Sequence, residues 1–185
     1  MPITRTDPRT AARLTRPAWT RAVITAAFAL FTVFSTGETM TLARLALAAF
    51  FVLGAAALWE YVKADPVPAA LRAAVSIGAV VWIVSGIAAV FAHSAAALAV
   101  IAGIGFLAVG AAELIGALKV RGSFVPARDH LILGPVGMLT GAGLFAGAGL
   151  DPHGILGISG MGVVIMAVLL LISAAGLSHE AKAEA

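Results

Sequence analysis

The sequence contains no cysteine, and only 11% of its residues are charged. Without cysteine there are no disulfides, thiolate metal sites or cysteine nucleophiles, and the redox compartment is left open. The shortage of charge argues against an ordinary soluble domain, in which about a quarter of the residues are charged. Apolar residues fill the space instead, at 61% of the chain, with a mean hydropathy of +1.04. A chain of 185 residues leaves much of its surface exposed even when compact, so a core of its own cannot absorb that much apolar area. A bilayer can. Twenty glycines point the same way, because glycine is commoner in membrane helices than in soluble ones. The pI near 10.0 does not mark a nucleic-acid binder, since the basic residues flank apolar runs. No nucleic-acid partner is expected.

A membrane helix needs roughly 20 mostly apolar residues to cross about 30 Å of hydrocarbon. Six segments qualify, at about 19–36, 41–62, 71–92, 94–118, 130–150 and 154–177. The expected fold is therefore all-α, a polytopic membrane protein with six transmembrane helices. The first segment is the most polar, diluted by Thr20, Thr25, Thr32, Ser35 and Thr36. Its run Ala22–Phe34 has the length of a signal-peptide core, but no small-x-small cleavage site follows, so a retained helix is expected.

Basic residues set the orientation. Eleven of the twelve fall on one side of the expected spans, and Arg44 alone falls on the other. The positive-inside rule then places both termini in the cytoplasm. Residues 1–18 carry Pro2, Pro8 and Pro17, which interrupt helices. They are expected to form a flexible basic arm, solvated or resting on anionic lipid. Residues 19–178 form the transmembrane domain, and 179–185 a cytoplasmic tail. Trp19 and Trp59 fall at the expected cytoplasmic interface, where indoles settle, while Trp82 falls mid-helix as a packing residue.

The even spans align at a period near 56 residues. Ala49–Gly54, Gly105–Gly110 and Gly162–Ala167 share a small-x4-small frame filled with bulky side chains. Arg72 and Asp129 open the third and fifth spans at an offset of 57, and Arg21 aligns with them if its outer loop is about five residues shorter. The expected unit is a helical hairpin repeated three times, at about 19–62, 71–118 and 130–177, arranged about an axis along the membrane normal. Gly137, Gly141, Gly143 and Gly147 have GxxxG spacing suited to close helix contact. That contact lies either inside the bundle or at an oligomer seam.

Three basic-flanked hairpins, a small residue in the middle of each second helix and a charged exit after it resemble the HdeD-like membrane protein family. The stretch Gly105–Lys119 and its weaker copy Ala49–Lys63 carry the likeness, which covers about residues 20–178. The outer loops lack the family's usual Pro-Gly; Thr36-Gly37 and Asp151-Pro152 substitute in part. The resemblance implies a non-enzymatic bacterial inner-membrane protein associated with stress or acid resistance, with no catalytic residues to carry over. The alternatives are an accessory subunit of a larger membrane complex and a small proton-coupled transporter or channel using Glu113. A homo-oligomer or a membrane-complex partner is compatible with all three.

An ionisable group at membrane depth is a functional candidate by default, because it costs about 3 kcal/mol to place there. Glu113, in the fourth span, is the foremost. Its equivalents in the repeat are Ala57 and Leu170, so the scaffold does not require a carboxylate there. It either carries a proton or cation, or it snorkels toward Lys119 or bonds a neighbouring helix. Glu113→Gln is expected to leave folding intact. Glu60, one turn from Lys63, reads as half of an interfacial pair.

On the outer face, His93, Asp151 and His153 form a candidate pH-sensitive cluster, joined by Glu38 and Arg44. Imidazoles as a class change charge near neutral pH, although ordinary loop polarity also accounts for these residues. The chain lacks a histidine pair at i, i+4, so zinc is not expected. No expected span holds a histidine centrally, His130 and His179 being placed on the cytoplasmic side, so haem is not expected either. Gly157-Ile158-Ser159-Gly160 spells the GxSG of rhomboid proteases, but the only later histidine is His179 in the opposite tail, about 30 Å away across the span. No cofactor, metal or catalytic residue is expected.

Overall fold

The structure is a computed structural model that describes residues 5–37, 39–147 and 149–182. It is all-α, with no strand among the described residues. Six helices run α1 (Pro8–Phe34), α2 (Met40–Lys63), α3 (Ala69–Val90), α4 (Ala95–Val120), α5 (Ala127–Ala146) and α6 (Pro152–Ala181). Each is long and apolar enough to cross a bilayer. Large apolar side chains remain exposed on every helix, Leu30, Leu53, Ile77, Ile104, Leu139 and Ile172 among them, as a lipid-facing surface requires. The protein is a multi-pass integral membrane protein.

The spans match expectation at most ends, with two extensions. The segment expected as a flexible arm is helical from Pro8 onward. Pro8 stands in the first turn, where its missing N–H has no helical partner to lose. Asp7 caps the turn by accepting from the Thr10 N–H at 3.0 Å. Pro17 does lie inside the helix, but it removes only one donor and is itself buried, so packing offsets the loss. The head of α1 is held on both sides. Arg13 pairs with Asp65 in the α2–α3 loop, and Arg16 Nε lies 3.3 Å from Glu60 on α2. The Trp19 indole donates to Ser178 Oγ on α6 at 2.8 Å. The second extension is α6, which continues through the expected start of the tail to Ala181. The Thr6 N–H donates to Glu180 at 3.3 Å, so the beginning and the end of the described chain meet at one end of the bundle. This end is the terminal face, and the opposite end is the far face.

The helices close into a ring in chain order, with α6 returning to pack extensively on α1. The even helices α2, α4 and α6 also touch one another, whereas no odd helix packs on another odd one. They form an inner triangle with α1, α3 and α5 set in its outer clefts. Glycine decides how closely α5 approaches. A Cβ on Gly110 would meet the Gly134 carbonyl oxygen at 2.5 Å, and one on Gly141 would meet the Gly103 oxygen at 2.7 Å. Gly137 and Gly141 thus pack against α4, and Gly143 and Gly147 against Ile158 of α6, all within one chain. By contrast, α1–α2 and α5–α6 meet less fully, leaving a lipid-facing groove of about 460 Å³ beside Phe28 and Phe50 and one of about 310 Å³ beside Thr140 and Gly162.

Rings fill the middle of the bundle. Phe28, Phe50, Phe51, Trp82 and Phe106, from four helices, pack with centroids 4.4–6.4 Å apart. Trp82 is buried there and packs against Gly54, where a Cβ would lie 2.5 Å from the indole.

Candidate functional site

Between the rings and the terminal face, the interior is charged. Glu113 is 2% exposed and about 10 Å along the helix from the α4 C-terminus. Arg21 of α1, 6% exposed, donates from Nη2 to Glu113 Oε1. His130 of α5, 2% exposed, holds Nδ1 3.6 Å from the same oxygen. That separation is too long for a hydrogen bond, and Nδ1 has no other partner. A protonated imidazole there would be an ion-pair partner; a neutral one leaves a buried nitrogen unsatisfied.

Local sequence explains how three ionisable groups come this close. Gly110 lies one turn before Glu113 and Gly134 one turn after His130; their backbones touch, drawing Glu113 and His130 into the same layer. Arg21 enters from the opposite cleft of the triangle, between Ala18, Ala22 and Thr25, small side chains that leave room for the guanidinium to reach inward. The Thr25 hydroxyl turns back on the Arg21 carbonyl at 2.8 Å.

Three more polar groups complete the layer. Tyr61 of α2 is buried with its ring 5.2 Å from the His130 imidazole. Asp129 of α5 is half-buried and accepts a hydrogen bond from Ser173 Oγ of α6. A small cavity of about 20 Å³ lies among Arg21, Tyr61, Asp129, His130 and Ser173. Five helices therefore contribute to one polar layer. Burying two ions costs several kcal/mol each, so a layer of this kind persists only when the charges are paired and hydrogen-bonded.

Several expectations change here. Glu113 does not snorkel toward Lys119, which is exposed; six residues along a helix turn a side chain to another face. It bonds a neighbouring helix through Arg21, a residue expected to flank the first span. His130, expected on the cytoplasmic flank, is buried because it lies within α5 on the same face as Gly134, Gly137 and Gly141, which pack against α4. Glu60 pairs with Arg16 instead of Lys63; the Lys63 ammonium sits 5.7 Å from the Trp59 ring centroid.

At the far face, Asp151 accepts from the Gly154 N–H at 2.9 Å and caps α6. His153 is exposed in the first turn of that helix, and His93 is exposed in the α3–α4 turn. Arg44 donates to the Ala92 carbonyl at 3.2 Å, closing the end of α3, and Glu38 lies outside the described residues. Among the described residues, no group of three or more His, Asp or Glu is placed to hold a metal ion. Ser159 is fully buried and its hydroxyl has no partner; His179 is exposed at the other end of the same helix.

Comparison with family models, curated proteins and solved structures returns no match to this chain.

Proposed function

We propose that this is a non-enzymatic, HdeD-like protein of the bacterial inner membrane, with both termini cytoplasmic, whose working element is a proton-titrating charge layer. The observation that carries the reading is a single carboxylate oxygen, Glu113 Oε1, approached by two cationic side-chain types from different helices and buried with both. With His130 neutral, Arg21 alone balances Glu113. Protonating His130 places a second cation 3.6 Å from that oxygen, so α1 and α5 then compete for one acceptor on α4. Charge on one imidazole thereby changes how three helices are tied together, a response suited to acid stress. The asymmetric position of Glu113 in the proposed threefold repeat supports a dedicated role: its register partners Ala57 and Leu170 are also buried, yet apolar. Transport is the weaker reading, because the aromatic cluster fills the path beyond the layer.

The test is a pH titration of the protein in nanodiscs from pH 8 to 5, read by near-UV circular dichroism. The expected result is a reversible change in the wild type that survives replacement of His93, His153 and His179 by Gln and is lost in His130→Phe. A change that persists in His130→Phe, or no change in the wild type, would overturn the reading.

A further inference from the structure

We infer that the layer exchanges protons with the terminal face alone, through a one-water site beside Asp129, Ser173 and His130, and does not pass them to the far face. The inference rests on the reading of the layer as a titrating element and assigns it a route.

Two observations place the route. The cavity of about 20 Å³ has room for a single water. It is lined by polar groups from four helices, including His130, whose Nδ1 is buried without a hydrogen-bond partner. Its two half-buried polar members are Asp129 and Ser173, hydrogen-bonded to each other, and Asp129 is the one of them that can take up a proton. A proton taken up by the Asp129 carboxylate from water at the terminal face is handed to the cavity water as that water gives one of its own to the imidazole. Asp129 ends ionised, the water unchanged and His130 a cation beside Glu113.

The remaining surroundings are accounted for helix by helix. Arg21 of α1, Tyr61 of α2 and Glu113 of α4 face His130 from across the layer. The one ionisable residue of α3, Arg72, reaches the Val67 carbonyl at 3.2 Å in the preceding loop. From α6 comes Ser173; the ionisable groups of that helix lie at its ends.

Toward the far face the route stops. Phe28 and Phe106 lie seven residues, about 10 Å, beyond Arg21 and Glu113, and their rings join those of Phe50, Phe51 and Trp82 across the bundle. Among the described residues, no ionisable side chain is buried beyond them. The Thr140 hydroxyl donates to the Val136 carbonyl of its own helix at 2.8 Å and offers no link.

The experiment uses sealed, oriented proteoliposomes carrying the variant in which His130 is the sole histidine. Its imidazole charge is followed by ¹⁵N NMR while pH is stepped on one side at a time, with pyranine inside to report flux. The expected result is a His130 signal that follows the terminal-face pH only, with proton flux equal to that of protein-free vesicles. Asp129→Leu should slow the response at least tenfold by stopped-flow tryptophan fluorescence. A signal that follows far-face pH, protein-dependent flux, or an unchanged rate in Asp129→Leu would overturn the one-sided route while leaving the titrating layer in place. A His130 signal indifferent to pH on both sides would overturn the layer's titration as well.

Discussion

The two halves of this bundle both have buried interiors but are held together by opposite means. The terminal half ties α1, α4 and α5 through Arg21, Glu113 and His130. The half beyond it packs Phe28, Phe50, Phe51, Trp82 and Phe106 ring on ring. Rings lose contact area when trimmed, and the loss does not depend on pH. A charge pair behaves differently, because removing one partner strands the other in a medium that cannot solvate it. On the proposed reading, the same lipid-exposed scaffold contains one half indifferent to acid and one that registers it.

The largest effect that would break this contrast is loss of a single charge. Glu113→Gln and Arg21→Gln are each expected to destabilise the protein by about 3–5 kcal/mol, by equilibrium unfolding in mixed micelles, since each leaves a buried ion unpaired. This replaces the expectation that Glu113→Gln is benign, which did not include Arg21 as a partner. Phe106→Ala should cost about 3 kcal/mol or more through the cavity it leaves, with the same loss at pH 5 and pH 8; a pH-dependent loss would blur the two halves into one. Gly110→Ala should cost about 1–3 kcal/mol by overpacking α4 on α5, because the added methyl meets the Gly134 carbonyl. Gly122→Ala, with nothing within 4 Å of its would-be Cβ, serves as the control. The smallest effect is expected at Arg13→Ala. Its partner Asp65 is 82% exposed, and solvent-exposed pairs contribute at most about 1 kcal/mol.

The contrast between the halves also separates what was legible in the sequence from what was not. Apolar length alone located six helices, and small-residue spacing marked Gly137 and Gly141 as close-contact positions, though not that α4 is what they meet. Glu113 stood out as a carboxylate within an apolar run. Its partners did not. An arginine preceding an apolar stretch looks the same whether it flanks a membrane helix or enters it; Arg21 turns inward because it shares a face of α1 with the buried Leu14, Ala18, Thr25 and Phe28. His130 was hidden for the same reason, at the margin of a span whose facing is set by its packing on α4. One signal was present: Lys119 lies on a different face of α4 from Glu113, so a buried Glu113 needed a cation from another helix. Ser173 and Tyr61 carry no such signal, because their roles follow from how α6 and α2 meet the start of α5 rather than from any local pattern.

The central claim is that charges from α1 and α4 meet inside the bundle, and a double-mutant cycle tests it most directly. Arg21→Met, Glu113→Met and the double variant would be unfolded in mixed micelles. Each single change should cost about 3–5 kcal/mol and the double change less than either, since it removes both charges together. Costs that add to within about 0.5 kcal/mol would mean the two residues do not interact, and would contradict the account.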